Sequence, residues 1–357
     1  MEKGLVSYGT QLVFNLDDSS SVAVVRRAGN ALARELQFDE TLAGQLALLV
    51  TEAATNIIKH AGHGAILLRG LHHHHAGHAV SGIEVIAIDK GPGIANLHTQ
   101  MEDGNSTTGT YGIGLGALKR LSHEFDVYTQ SGQGTALWMV IWKDSQQAPK
   151  SDWEVGAICL PIQGEEVCGD NWAIVACEGA LTLMVVDGLG HGPEAALAAN
   201  AAVTVAHQHA NQLPSVIMQR AHVALQGTRG AAVAISRIDL DNSQLKFAGI
   251  GNISVCMFHA DKRRHLVSHN GIIGSNMRKL QEFSEPWEPD ALLIAHSDGI
   301  STRWDMTNYP ELQHCHSALI AAVIYRDFSR GRDDATIVVL REAFNAAGQV
   351  AAKGSWQ

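Results

Sequence analysis

Four aspartates at the ends of expected strands carry the first chemical signal in this chain: Asp170, Asp187, Asp298 and Asp333. Asp187 closes the run Val185-Val186 and opens Gly188-Leu189-Gly190-His191-Gly192, with Pro193 and an alanine-rich stretch beyond. A buried strand ending in a carboxylate is costly unless a cation meets it. Glycines let backbone groups approach that cation closely. An Asp-Gly turn by itself is equally ordinary turn chemistry. If the four strands share one sandwich, bare carboxylates a few ångströms apart repel by about 4 kcal/mol per pair at an intermediate dielectric. Oxygen-rich clusters of that kind suit hard cations. Two such cations about 3.5–4 Å apart bind a phosphate oxygen and activate a water between them, which is phosphoester hydrolysis without a protein nucleophile. Four separate loop-capping acids are the plain alternative.

A second set of residues suits a nucleotide. Glu52 and Asn56 lie four apart on a run whose apolar stripe is Leu42, Leu46, Leu49, Ala53 and Ile57, so they share a helix face. An Asn there can give an oxygen to Mg²⁺, which takes its remaining ligands from water and phosphate. Asp89 ends the apolar run 83–88 and can accept a hydrogen bond from an adenine amino group. Gly112, Gly114 and Gly116 open a helix that runs through Leu121, and a glycine-rich helix start offers amides to phosphate. Each feature alone is weak, and Glu52 with Asn56 also reads as a solvated helix face. The glycine run does not follow a strand in a βαβ unit, which excludes a Rossmann site.

The elements that must position these residues fall into two groups. In the first half, a strand at 12–16 precedes helices capped near Asp18 and Asp39. Strands at 65–68 and 83–88 follow, then the glycine-rich helix, then strands at 125–129 and 135–142. The polar stretch 144–152 holds Pro149 and lacks periodicity, so it reads as a linker. Beyond it come short β-like runs at 157–161, 172–177, 181–186, 231–238, 245–250, 254–259, 291–296 and 333–340. Helices are expected at 193–210, 214–225 and 313–326. The expected architecture is α+β in two domains: residues 1–143, a linker 144–152, residues 153–342 and a tail 343–357 of no assignable role. The run His72-His73-His74-His75, with His78, lies between two strands and reads as a solvated hairpin loop, with a metal tract as the alternative.

Composition bounds the function. The 357 residues are 46% hydrophobic and 17% charged, which describes a globular chain. A net charge of -10 argues against a nucleic-acid surface. The five cysteines (159, 168, 177, 256 and 315) show no C-x-x-C spacing, so neither a zinc site nor a disulfide framework is expected. The polar start has no signal-peptide core and no apolar run reads as membrane-spanning, so a cytoplasmic protein is expected.

In order and spacing, the stretches 52–61, 89–94 and 112–121 resemble the GHKL (HATPase) fold, and within it the small anti-sigma-type serine/threonine kinases of the RsbT-like group. The resemblance covers about residues 5–143. It implies Asn56 as the Mg²⁺ ligand, Glu52 as the general base, Asp89 on adenine, and an ATP site completed by Lys59, Gly91, Gly93, Gly112, Gly114 and Gly116. The base role is chemically sensible, because a hydroxyl must lose its proton as it attacks the γ-phosphate. Asn96–Thr108 would be a short lid. The stretches Gly169-Asp170, 187–192, 229–232, 249–252, 271–274, 297–299 and 333–336 resemble the PPM metal-dependent serine/threonine phosphatases in their SpoIIE-like branch, with RsbX-like members nearest. That resemblance covers about 153–341. It implies that Asp187 bridges two Mn²⁺ or Mg²⁺ ions, that Gly188 gives a backbone carbonyl, and that Asp170, Asp298 and Asp333 complete the shells. Asp333 rather than Asp334 matches the family's ligand. The arginine that grips phosphate in larger members has no clear equivalent, and His191 reads as structural.

Together the resemblances imply a bifunctional regulator. One half would phosphorylate, and the other dephosphorylate, a serine or threonine on a STAS-domain antagonist or stressosome-like partner in a sigma-factor or signalling pathway. Two readings stand beside it: a phosphatase whose first half only binds nucleotide or docks a partner, and a non-enzymatic sequestering protein.

Overall fold

The computed structural model describes residues 5–75, 78–97, 101, 114–149, 151–177, 179–259, 262–277 and 279–343. It is a mixed α/β chain with antiparallel sheets, and it divides into two compact units. One comprises Val6–Pro149 together with Arg303–Asp327. The other is built on Lys150–Thr302 and the chain from Phe328 onward.

The first unit holds one six-stranded sheet in the order β1 (Val6–Tyr8), β3 (Gly64–His75), β4 (His78–Asp89), β6 (Gly134–Trp142), β5 (Glu124–Gln130), with β2 (Leu12–Leu16) also paired to β3. Helices α1 (Ser19–Glu35) and α2 (Glu40–His60) start where Asp18 and Asp39 accept hydrogen bonds from first-turn amides. The buried stripe of α2, Leu46, Leu49, Val50, Ala53 and Ile57, packs with Leu16, Ile66, Leu68, Val85, Leu137 and Met139. The short α3 (Leu115–Leu121) adds Leu118 to this core. The β3, β4 and β6 residues between those core positions are buried too. Among them, Arg69 and Glu84 form an ion pair at 2.6 Å, and Trp138 Nε1 donates to Glu84 at 2.9 Å. His316 stacks on the Trp138 ring at 3.5 Å between centroids, and its backbone N–H donates to Asp126 at 2.7 Å. Residues 303–327, far along the chain, therefore pack on the sheet face that the α1–α2 layer leaves uncovered.

The second unit holds two five-stranded sheets. One runs β14 (Phe283–Pro286), β11 (Gln244–Ile250), β10 (Ala231–Asp239), β9 (Ala180–Gly188), β8 (Asp170–Cys177). The other runs β13 (Lys262–Leu266), β12 (Ser254–His259), β15 (Leu292–His296), β16 (Ala335–Glu342), β7 (Trp153–Leu160). Helices α4 (Pro193–His209) and α5 (Pro214–Ala224) each begin with proline in the first turn, where no N–H partner is lost. Their small and apolar stripe, Ala198, Ala199, Ala202, Ile217 and Met218, packs with Met184, Val186, Val233 and Ile235 of the first sheet.

Several expectations need correction. His72–His75 is not a loop: these residues continue β3, paired in register with β4 from His72↔Ser81 to His75↔His78, and β1 pairs with His72 and His73 on the other side. His73 is buried, so ladder pairing overrides the polar composition. Helix α2, at 21 residues, is long and apolar enough to cross a membrane by length and composition, contrary to the sequence reading; its apolar stripe lies in the core of this unit. The expected helix at 313–326 is a 3₁₀ turn, Leu312–His314, followed by α6 (Ser317–Phe328). Strands β1, β13 and β14 had no clear sequence signal. Gly112, most of the Asn96–Thr108 lid and the tail beyond 343 lie outside the described residues.

Candidate functional site

The four expected acids sit at strand ends of the second unit. Asp170 opens β8 and Asp187 lies one residue before the end of β9, and their Cα atoms are direct partners in the β8–β9 ladder. Like charges facing each other across a ladder destabilise it. Asp298 follows β15, and Asp333 precedes β16 by two residues. These two neighbouring strands are tied beyond their ladder, because Ser297 N donates to the Thr336 carbonyl and Thr336 N to Ser297 Oγ, each at 3.0 Å. Gly188 must lack a side chain, since a Cβ there would lie 2.3 Å from the Ala195 carbonyl of α4.

The electrostatics report convergence. Burial first, then the charges of Asp170, Asp298 and Asp333, push the Asp187 carboxyl up to about 8. Burial, then the Cys159 thiol, raise Asp170 well above the usual carboxylate range. Asp170 Oδ2 is buried with no hydrogen-bond partner among the described residues. Asn252 Nδ2 donates to Asp298 Oδ2 at 2.7 Å. Asp334 has other work: its two carboxylate oxygens accept from Ile162 N and Gly169 N, both at 2.7 Å, binding the β7–β8 connection to β16. Among the described residues no three acids, histidines or cysteines are drawn into a finished ligand shell. The donor set nevertheless fits hard cations: all-oxygen, multiply acidic and partly buried, with one orphaned oxygen. His191 is exposed and pairs with Glu165 at 2.7 Å. Sequence reasoning missed Asn252 as a partner of Asp298. It also missed the approach of Cys159 and Cys168 to 3.7 Å beside Asp170, because nine-residue spacing across a loop carries no local motif.

In the first unit, a cavity of about 260 Å³ is lined by Asn56 and His60 of α2, Asp89 at the end of β4, Gly93 after it, Gly114 before α3, and Thr135 of β6. Asp89 Oδ1 accepts from Gly91 N at 2.8 Å and Thr135 N at 3.2 Å. Burial raises the Asp89 carboxyl, and those two bonds oppose the rise. Gly93 has φ +71°, and a Cβ there would meet the Gln130 carbonyl at 2.3 Å, so the turn that brings it to the cavity requires glycine. Glu52 lies one turn before Asn56, half-buried; burial raises its carboxyl and Lys59 lowers it. Neither Glu52, Lys59, Gly91 nor Gly116 is among the cavity-lining residues.

The two halves of the chain match different families. A family described as the histidine kinase-like ATPase domain matches residues 16–141, and one described as Stage II sporulation protein E (SpoIIE) matches residues 178–342. The serine/threonine-protein kinase RsbT of Bacillus subtilis (strain 168) is 35% identical over 121 residues, covering 34% of this chain and 88% of that protein. The phosphoserine phosphatase RsbX of the same organism is 24% identical over 143 residues, covering 40% of this chain and 72% of that protein. A solved chain described as "The bacterial stressosome: a modular system that has been adapted to control secondary messenger signaling" superposes with a TM-score of 0.50 at 32% identity, over 53% of this chain and 99% of its own length.

Proposed function

Because the chain belongs to the RsbT-type histidine kinase-like ATPase family through its first half and carries a SpoIIE-type serine/threonine phosphatase domain in its second, we propose that it is a bifunctional partner-switching regulator. The phosphatase half removes phosphate from a serine or threonine of a STAS-domain protein, and the kinase half restores it from ATP. What supports the phosphatase reading is that four acids lie at strand ends of the second unit, Asp170 paired with Asp187 across one ladder, and that burial and the charges of the other three push Asp187 up to about 8.

Asp170, Asp187, Asp298, Asp333 and the Gly188 carbonyl would hold two Mn²⁺ or Mg²⁺ ions. When bound, these supply Lewis-acid polarisation of the phosphoryl group and a water ionised near neutral pH. Asp187 would give up its proton on loading, so loading would depend on pH. Asn252 keeps Asp298 oriented, and Asp334 fixes Gly169, and so Asp170, through backbone amides.

At the first-half site, Asp89 would accept from the adenine amino group. Asn56 would give its amide oxygen to the Mg²⁺ that travels with ATP. Of the glycines that the resemblance implies, Gly93 and Gly114 line the cavity, and their amides would face the phosphates. Glu52, its carboxyl raised by burial, takes the proton of the attacking hydroxyl. One observation favours a second reading, in which this half binds nucleotide or docks the partner without transfer: Glu52 is not among the residues that line the cavity. Labelled ATP and a STAS-domain substrate separate the two readings. Transfer that is lost in Glu52→Ala supports the kinase. No transfer by the wild-type chain, with nucleotide still bound, leaves the docking reading.

A further inference from the structure

We propose that Arg326 is a positioning residue of the nucleotide site, holding the Asp89 end of β4 from a segment that the chain threads between Asp298 and Asp333. The inference rests on the ATP-site reading above and adds to it a residue outside the stretch that resembles the kinases.

The geometry begins with a gap in the ladder. Pairing of β4 with β6 runs from Gly82↔Trp142 to Ile88↔Ala136 and stops one residue short of Asp89. A buried backbone carbonyl left at a strand end needs another donor. Arg326 supplies it, with Nη1 3.1 Å from the Asp89 carbonyl. Gly134 leaves room for that approach: its φ is +91°, and a Cβ on it would fall 2.0 Å from the Asp89 oxygen. Asp89 is thus fixed from both ends, its side chain by the Gly91 and Thr135 amides and its carbonyl by the guanidinium.

Arg326 is itself held. Its side chain is 3% exposed, and Nε and Nη2 donate to the two oxygens of Asp327 at 2.9 and 2.8 Å. Tyr309 donates its hydroxyl to Asp327 at 3.0 Å, and its ring lies 6.5 Å from that of Tyr128 on β5. Lys90, next to Asp89, lies 3.9 Å from the other Asp327 oxygen. A fork-shaped, permanently charged donor suits this three-way role better than a lysine. A displaced strand end would carry the adenine acceptor away from its place against Asn56, and small misplacements of a recognition group cost affinity steeply.

The test uses the full chain, a fluorescent ADP analogue with Mg²⁺, and a parallel Mn²⁺ thermal-shift titration of the acid cluster. Arg326→Met is expected to weaken analogue binding about tenfold, and Arg326→Lys to recover part of the loss. Because Arg326→Met strips the half-buried Asp327 of its guanidinium, leaving it Tyr309 and the distant Lys90, the double variant Arg326→Met/Asp327→Asn removes the charges together and should show the same loss. The Mn²⁺ response should stay at the wild-type level in all three. Wild-type analogue affinity in both methionine variants overturns the inference and leaves the ATP-site reading standing. Parallel loss of analogue and Mn²⁺ responses also overturns it, because Arg326 would then be a general structural residue. A wild-type chain that binds no analogue overturns the ATP-site reading, and the inference with it.

Discussion

Replacing Asp187 by asparagine should stabilise the metal-free protein while destroying the site. A carboxyl moved from 3.8 to about 8 holds its proton in the folded state at pH 7, whereas the unfolded chain has released it. The native state therefore binds more protons than the unfolded one between those two values, and stability falls as pH rises from about 4 to about 8. At pH 7 the full shift corresponds to roughly 4 kcal/mol against folding. Relaxation around the acid and residual burial in the unfolded chain reduce the recoverable part to about 1–3 kcal/mol. In Asp187→Asn the transition of the second unit should rise by about 3–10 °C in chelator at pH 7–8, at roughly 2–4 °C per kcal/mol for a domain of this size. The gain should shrink towards pH 4. Differential scanning fluorimetry of both proteins from pH 4 to 8.5, with EDTA and then with Mn²⁺, reads this directly. Mn²⁺ should raise the wild-type transition and reverse the order of the two proteins. Parallel pH profiles, or a variant that is less stable than wild type in chelator at every pH, would refute the picture of four mutually repelling carboxylates.

Gly93→Ala should abolish nucleotide binding in a fluorescent-ADP titration, because a Cβ there meets the Gln130 carbonyl at 2.3 Å in a left-handed backbone conformation. Glu84→Gln, which leaves Arg69 buried without its counter-charge, should cost the first unit about 3–5 kcal/mol in a urea titration. Pairing it with Arg69→Met should recover much of that loss. Burial lowers His296 to about 4, so its folded form stays neutral while the unfolded form takes up a proton below 6.5. Stability of the second unit should accordingly fall by up to roughly 3 kcal/mol between pH 6.5 and 4. His296→Phe should flatten that limb in a pH series of denaturant melts.

The parts legible in the sequence were those with local chemistry. The aspartate caps of α1 and α2, the proline starts of α4 and α5, and the apolar stripe of α2 each declare themselves within one or two turns of chain. The four acids could be named because each sits at a strand end, two of them closing apolar runs, but that Asp170 and Asp187 face each other across one ladder depends on register. Asn252 and Asp334 act through partners 46 and 165 residues away, a separation no short motif encodes. The histidine run misled because its composition is that of a loop, while its conformation is set by pairing on both sides with β1 and β4. The segment 303–327 misled in a different way. Its helix is apolar all round, which marks a buried element without saying what covers it, and it groups with the sheet of the first unit rather than with its neighbours in sequence.

The central claim is that the converging acids form a metal-dependent phosphoserine/phosphothreonine phosphatase. The most direct measurement is release of phosphate from a phosphorylated STAS-domain protein by the full chain, with and without Mn²⁺. The account predicts turnover that requires the cation, is abolished by chelator, and falls by at least a hundredfold in Asp187→Asn. Wild-type turnover in that variant, or turnover unaffected by chelator, would contradict it.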